Sequence, residues 1–184
     1  MKTIIFNGSP RAKGDTSSLI NYLLDKLNGE VKVINAYRCN ISPCVDCRHC
    51  RTNSGCAIKD EMQSVYAYIE DCDNVVIASP IYFSELTGQM LNIGSRFQTY
   101  FCAGFFRKET PIKKEKRGAV ILVGGGTGNA SKAYDTACNI LSHINCKDIF
   151  RMICSHNTDY IPAIDDVVAR KEVDELAKFL NKTT

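Results

Sequence analysis

Short apolar runs rich in β-branched residues recur along this chain, and between them lie stretches whose apolar positions repeat every three to four residues. Residues 3–6 (Thr-Ile-Ile-Phe) run into Gly8-Ser9-Pro10, which predicts a buried strand meeting a turn. Leu19, Ile20, Leu23, Leu24 and Leu27 form one stripe of a helix over 16–28. A second strand is predicted at 31–34, a helix at 61–72 and a third strand at 75–78, ending at Ser79-Pro80. Then come a helix over 87–101, a fourth strand at 119–123, a helix over 130–144 and a fifth strand at 149–154. A last amphipathic helix spans 165–181, with Val168, Val173, Leu176, Phe179 and Leu180 available for its buried side.

Strands that are apolar throughout are buried on both faces, and their alternation with helices implies right-handed βαβ crossovers and a parallel sheet. The predicted fold is an α/β, doubly wound five-stranded parallel sheet in the order 2-1-3-4-5, with helices on both faces. Ligands of such sheets bind outside the carboxyl ends of the strands, where strands 1 and 3 diverge. The loops after strands 1, 3 and 4 all fall on that edge.

The loop after strand 1 reads Gly8-Ser9-Pro10-Arg11-Ala12-Lys13-Gly14-Asp15-Thr16-Ser17-Ser18. Free amides and the positive end of the following helix favour a phosphate there. Ser9, Thr16, Ser17 and Ser18 add hydroxyls, and Arg11 adds a cation. The spacing fits neither a Walker A loop nor a G-x-G-x-x-G dinucleotide fingerprint, so the loop reads as a mononucleotide cradle. The plainer alternative is a Ser-rich helix cap with no ligand. After strand 3, Pro80-Ile81-Tyr82-Phe83-Ser84 offers flat apolar surface and backbone donors and acceptors, and an ordinary turn with core aromatics is its alternative. Gly124, Gly125 and Gly126 end strand 4, either for close approach to a ligand or because the turn needs positive φ.

These motifs together resemble the NADPH-dependent FMN reductase and iron–sulfur flavoprotein families of the flavodoxin-like group. Gly8 to Arg11 and Gly14-Asp15-Thr16 resemble their phosphate loop, with Asp15 where Asn is usual. Ser79-Pro80-Ile81-Tyr82 followed by Thr87-Gly88 resembles their flavin-facing turn. Asn92 and Ser95 depart from the iron–sulfur flavoprotein pattern, which has Lys and Asp there, whereas Arg96 is retained. The resemblance implies FMN on these loops, NAD(P)H as co-substrate, a small-molecule or redox-protein electron acceptor, and a homodimer or higher homo-oligomer. It also implies that Asp15 turns its carboxylate from the phosphate and caps the helix. An electron carrier without its own substrate is the rival function, and a structural or zinc-sensing module a more distant one.

Composition sharpens this picture at one point. The chain has 184 residues, apolar and charged fractions of 45% and 23%, and a net charge of +3, so nothing suggests nucleic acid or a membrane surface. It reads as a single domain over 1–184, and a strand pattern starting at Lys2 leaves no room for a signal peptide, so a cytoplasmic setting is expected. Ten cysteines are many for such a setting, and five of them fall between Cys39 and Cys56. Cys44, Cys47, Cys50 and Cys56 have the spacing C-x2-C-x2-C-x5-C in a loop over 36–60. Such a loop can wrap a [4Fe–4S] cluster, as the resemblance to iron–sulfur flavoproteins implies, or tetrahedral zinc, or it can carry free thiols. The remaining Cys72, Cys102, Cys138, Cys146 and Cys154 are expected in the core. Phe97, Tyr100, Phe101, Phe105 and Phe106 are expected to pack inside, the alternative being a dimer surface. The three histidines receive no role.

Overall fold

A computed structural model describes residues 1–182. Its sheet contains β1 (Lys2–Asn7), β2 (Glu30–Asn35), β3 (Asn74–Pro80), β4 (Lys116–Val123), β5 (Cys146–Ile149) and β6 (Ile153–Ser155). All pairings are parallel in the order β2-β1-β3-β4-β5, and β6 lies along the far end of β4. This is the flavodoxin-like arrangement expected from the apolar runs. Ile5, Val76, Ala78, Ala119 and Ile121 face one side, under α1 (Asp15–Leu24) and α7 (Val167–Leu180). Ile4, Phe6, Val75, Ile77, Val120 and Leu122 face the other, under α3 (Met62–Asp71), α4 (Gly88–Ser95) and α6 (Ser131–His143). The period of two in the strands thus feeds two cores, one on each face.

Four local expectations are corrected. The fifth strand is two pieces: β5 pairs with the start of β4 and β6 with its end. The interruption lets two consecutive residues reach the same helix, which a regular strand forbids. Phe150 packs on Phe179 with ring centroids 5.3 Å apart, and Arg151 pairs with Glu172 and Glu175. The helix over 87–101 is broken into α4 and α5 (Gln98–Cys102), followed by a π-helical turn over Ala103–Arg107. The break falls at Arg96 and Phe97, whose side chains leave in different directions: Phe97 enters the core edge-on to Phe6, while Arg96 reaches the cysteine loop. In α7 the buried stripe is Ala169, Val173, Leu176, Ala177 and Leu180, one residue out of phase with Val168, which is exposed. The aromatic group divides: Phe97 and Tyr100 are buried, whereas Phe101, Phe105 and Phe106 are exposed.

Of the five cysteines expected inside, Cys72, Cys102 and Cys146 are buried, and Cys138 and Cys154 are partly so. No helix among the described residues is long and apolar enough to cross a membrane.

Candidate functional site

Because every strand is parallel, the chain leaves β1, β2, β3, β4 and β6 on one edge of the sheet. The phosphate-type loop sits at its centre and is held by neighbours that are themselves buried. The Gly8 amide donates to the Ala78 carbonyl at 2.7 Å, and the Thr87 hydroxyl donates to the Gly8 carbonyl at 2.8 Å. Asn7, the last residue of β1, donates to Ser17 Oγ at 3.2 Å and to Asn35 Oδ1, and accepts from the Ser9 amide. A Cβ on Gly8 would lie 2.9 Å from Ser79 Oγ and 3.1 Å from Thr87 Oγ1, so only glycine lets β1 and β3 turn this close together.

The helix that follows is open at its positive end. Gly14 is the residue before its first turn, and no side chain caps it. Its first backbone bond runs from the Ser18 amide to the Gly14 carbonyl, which leaves the amides of 15–17 without helical partners. Asp15 therefore does not cap the helix. It is the first helical residue, and its carboxylate accepts from the Ala163 amide at 3.0 Å with Arg11 3.7 Å away. The hydroxyls are used unevenly. Ser9 and Ser17 donate to the Arg11 carbonyl and Ser18 to the Asp15 carbonyl, so these three shape the loop. Thr16 is buried, and among the described residues its hydroxyl has no hydrogen-bond partner. Free amides, a free hydroxyl and an exposed Arg11 guanidinium are a donor set suited to a phosphate monoester.

Beside it lies a hollow of about 270 Å³ lined by Ile81, Phe83, Ser84, Gly124, Gly125, Gly126 and Gly128. The structure thus brings together the two loops that the sequence singled out after β3 and β4. The Ile81 amide donates to the Val123 carbonyl, continuing the ladder from the Pro80 position at the end of β3. Tyr82 and Glu85 then exchange backbone hydrogen bonds across a tight turn in which Phe83 and Ser84 have φ of 53° and 61°. Left-handed backbone at two consecutive non-glycine residues is costly, and it presents Phe83 wholly to solvent rather than to the core. Tyr82 is half-exposed and does not line the hollow. The positive-φ reading of Gly124, Gly125 and Gly126 is overturned, since none of them has positive φ. Only Gly125 is short of space: a Cβ there would lie 2.6 Å from an Asp159 carboxylate oxygen, whereas one on Gly126 would meet nothing within 4 Å.

The loop after β2 carries the cysteine motif and is organised differently. Cys44 and Cys47 are exposed, Cys50 and Cys56 partly buried, and a single helical turn, α2 (His49–Thr52), interrupts it. Its two ends are tied by Arg96, which is 1% exposed. Arg96 donates to both carboxylate oxygens of Asp60 at 2.6 and 3.2 Å, to the Ser42 carbonyl at 2.8 Å and to the Ile58 carbonyl, and its Nη2 lies 3.5 Å from Cys56 Sγ. Burial pushes the Asp60 carboxyl up, but the Arg96 hydrogen bond and the amides of Ser42 and Met62 outweigh it and hold the group below its usual range. The Cys50 thiol is raised to about 11, first by burial and then by the neighbouring Cys102 thiol. All four motif cysteines, with Cys102 and Arg96, line one cavity of about 30 Å³. Among the described residues no three metal-ligating side chains are already converged on one point. The donor set therefore suits a thiophilic metal or cluster, and the loop is not closed around one.

Sequence reasoning missed two participants. The sequence shows Arg96 only as a retained residue, because nothing linear ties it to Asp60. His156 had no partner in sequence, yet Nε2 lies 3.3 Å from Cys154 Sγ and Nδ1 lies 3.3 Å from the Gly126 carbonyl, which ties β6 to the glycine loop. The i, i+2 spacing on a strand was the one available signal for that pair.

Comparison with known proteins gives the family and the fold. A 33% identical relative over 129 residues is an iron–sulfur flavoprotein of Methanocaldococcus jannaschii; the match covers 68% of this chain but only 62% of that protein. An iron–sulfur flavoprotein of Methanosarcina thermophila is 25% identical, and there the match covers 98% of this chain and 93% of the relative. Among solved structures, an NAD(P)H:quinone oxidoreductase from Methanothermobacter marburgensis superposes with a TM-score of 0.69 at 16% identity, covering 97% of this chain and 94% of that one. An FMN-dependent NADH-azoreductase from Bacillus anthracis, solved with FMN, gives 0.68 at 16% identity, covering 99% and 100%. At such identities these two structures speak for the fold. The sequence profile of the NADPH-dependent FMN reductase family matches residues 1–158, and the chain belongs to that family.

Proposed function

We propose that this protein binds FMN and acts as an NAD(P)H-dependent oxidoreductase, passing electrons to a small-molecule or protein acceptor. The observation that carries this reading is the uncapped first turn of α1, with the amides of 15–17 and the Thr16 hydroxyl unpaired beside a glycine-lined hollow. The amides of 15–17, the Thr16 hydroxyl and the exposed Arg11 would hold the FMN phosphate, with Ser9, Ser17 and Ser18 keeping the loop in shape. The residues that would hold the ring are Ile81 and Phe83, which give apolar surface, and Gly124, Gly125 and Gly126, which allow close backbone approach, while Pro80, Tyr82 and Ser84 set the course of the turn. Bound FMN supplies hydride acceptance from a nicotinamide and onward electron transfer. The protein orients it and limits water, and no side chain is assigned as a general acid or base.

A second reading is favoured by the cavity that holds all four motif cysteines and by the names of the curated relatives. In it the loop carries a [4Fe–4S] cluster on Cys44, Cys47, Cys50 and Cys56, and the protein is an electron carrier. In either reading the exposed Phe101, Phe105 and Phe106 are the surface assigned to a second copy, and the setting is the reducing cytoplasm. Anaerobically purified protein tests both readings through its visible spectrum, its iron and sulfide content, and turnover with NADH and NADPH after FMN loading. Nicotinamide oxidation that requires FMN supports the enzyme. Failure to take up FMN, judged by calorimetry and absorbance, overturns both.

A further inference from the structure

Three consecutive peptide groups in the glycine loop after β4 have their carbonyls tied to the segment after β6. The Gly124 carbonyl accepts from the Thr158 amide at 3.1 Å and from the Thr158 hydroxyl at 3.2 Å. The Gly125 carbonyl accepts from the Asp159 amide at 3.3 Å. The Gly126 carbonyl accepts from the Asn157 amide at 3.2 Å, and His156 Nδ1 lies 3.3 Å from it. In a trans peptide the N–H points away from the C=O that precedes it. The amides of 125, 126 and 127 are therefore turned away from 156–159, and none has a hydrogen-bond partner among the described residues. The hollow of about 270 Å³ lies on that side, since Gly124, Gly125, Gly126 and Gly128 line it and no residue of 156–159 does. We propose that His156 and Thr158 are positioning residues of the flavin site: they hold the glycine carbonyls back, so that three N–H donors face the hollow and favour the reduced, anionic form of the flavin over the oxidised one.

The proposal rests on the FMN reading and adds to it the side chains that fix the polarity of the hollow. A carbonyl oxygen has two lone pairs, and those of Gly124 and Gly126 each meet two donors. In both cases the second donor is a side chain. The Gly126 carbonyl can only accept, so His156 Nδ1 is the donor, and Nε2, 3.3 Å from Cys154 Sγ, is left to accept from the thiol. Burial pushes the Cys154 thiol up to about 11, which keeps its proton on sulfur for that bond. The imidazole is thus held from both sides, by β6 and by the glycine loop. Asn157 has a φ of 58°, a left-handed conformation that costs a non-glycine residue energy, and the amides of 157, 158 and 159 all reach glycine carbonyls. Across the hollow Ile81 and Phe83 are apolar, so the free amides have few competing partners there. Hydride from a reduced nicotinamide carries two electrons and one proton, and the ring that receives it holds one negative charge, largely at its N1–C2 carbonyl edge. Fixed N–H donors lower the energy of that charged form more than that of the neutral one.

Anaerobic titration of the full-length protein with FMN gives the affinity for the oxidised form, and the midpoint potential of the bound couple then gives that for the reduced form. His156→Phe and Thr158→Val remove the two side-chain donors, whereas His156→Asn and Thr158→Ser keep a donor in the same place. The Phe/Val double variant is expected to weaken binding of reduced FMN about tenfold more than that of oxidised FMN, the scale of a lost hydrogen bond to a charged group. That ratio is a fall of about 30 mV in the two-electron potential. The Asn/Ser double variant is expected to stay near the wild type. Equal weakening of both forms, or a potential that does not move, overturns the proposal and leaves FMN binding standing. A wild-type protein that takes up no FMN overturns the FMN reading and this proposal with it. If the Phe/Val variant folds poorly, nitrogen-15 NMR of the wild-type protein replaces it. The amide signals of Gly125, Gly126 and Thr127 are expected to shift when bound FMN is reduced, and signals that stay in place overturn the assignment.

Discussion

The phosphate-type loop and the cysteine loop leave adjacent strands on the same edge of one sheet, yet they are held in opposite ways. The first is short, and its shape is spread over many small contacts: Asn7, Ser9, Ser17, Thr87 and the Gly8 amide each contribute a hydrogen bond. What it leaves unpaired is the amides of 15–17 and the Thr16 hydroxyl, at the start of α1. The second is long, two of its four motif sulfurs are exposed, and the buried Arg96–Asp60 pair joins its two ends. The first is fixed by redundancy. The second depends on that pair at its base, with single contacts above it such as the Cys44 amide on Ser95 Oγ and Arg107 on the Cys50 carbonyl. The same contrast says that single substitutions should be damaging in the cysteine loop's anchor and mild in the phosphate loop.

The largest effect is expected at that anchor. Arg96→Ala leaves the Asp60 carboxylate buried without its cation, and breaking a buried pair from one side costs roughly 3–5 kcal/mol. Urea unfolding should show that loss, and the double variant with Asp60→Asn should recover a large part of it because no charge is then stranded. If Arg96→Ala and a phosphate-loop variant such as Ser18→Ala cost the same, the contrast between a single anchor and a distributed web is wrong. Gly8→Ala comes next. Its Cβ would press on Ser79 Oγ, Thr87 Oγ1 and Met90 Cβ at 2.9–3.2 Å, and overpacking of this kind costs about 1–3 kcal/mol. Thermal denaturation measures it.

The anchor also has a pH signature. Asp60 is held below its usual carboxylate range in the folded protein, so its contribution is present above the unfolded-state value near 3.8 and is lost as pH falls through the folded value. Stability measured between neutral pH and pH 3 should therefore fall less steeply in Asp60→Asn than in the wild type. Equal slopes would mean that Arg96 holds the loop through the Ser42 and Ile58 carbonyls alone.

The central strands were legible in sequence because Ile4 to Phe6, Val75 to Ala78 and Ala119 to Val123 are buried on both faces, and no other element here has such composition. The form of the loop after β1 was legible for a related reason: its donors are consecutive residues between a strand and a helix. The split of the fifth strand was not, because it depends on Phe150 and Arg151 both being drawn to α7, a contact between distant segments. Arg96 was hidden in the same way. It sits in what reads as a plain helix and acquires its partner only where that helix meets Asp60, thirty-six residues earlier in the chain. Motif spacing reports what a loop can hold, and not which remote side chains reach it.

The phosphate loop's own sensitivity should be read through binding rather than folding. Thr16→Val removes the one loop hydroxyl that has no partner among the described residues, so it strands nothing in the free protein and should leave stability within about 0.5 kcal/mol. It should weaken FMN binding by about tenfold, the value of one hydrogen bond to a charged acceptor, measured by fluorescence quenching on titration. Asp15→Asn is expected to act in the opposite direction and more weakly. The amide oxygen can still accept from the Ala163 amide, so the link between the loop and the 163–165 turn survives. What disappears is a negative charge at the first helical position, beside the site assigned to a doubly charged phosphate. At the effective dielectric of a partly exposed site that repulsion is worth about 1 kcal/mol or less, part of which Arg11 already offsets from 3.7 Å. Asp15→Asn should thus tighten FMN binding a few-fold at low salt, with the gain shrinking as ionic strength rises. A loss of affinity instead would mean that the carboxylate serves the loop's shape more than it opposes the ligand, and that even here one side chain matters more than the web around it.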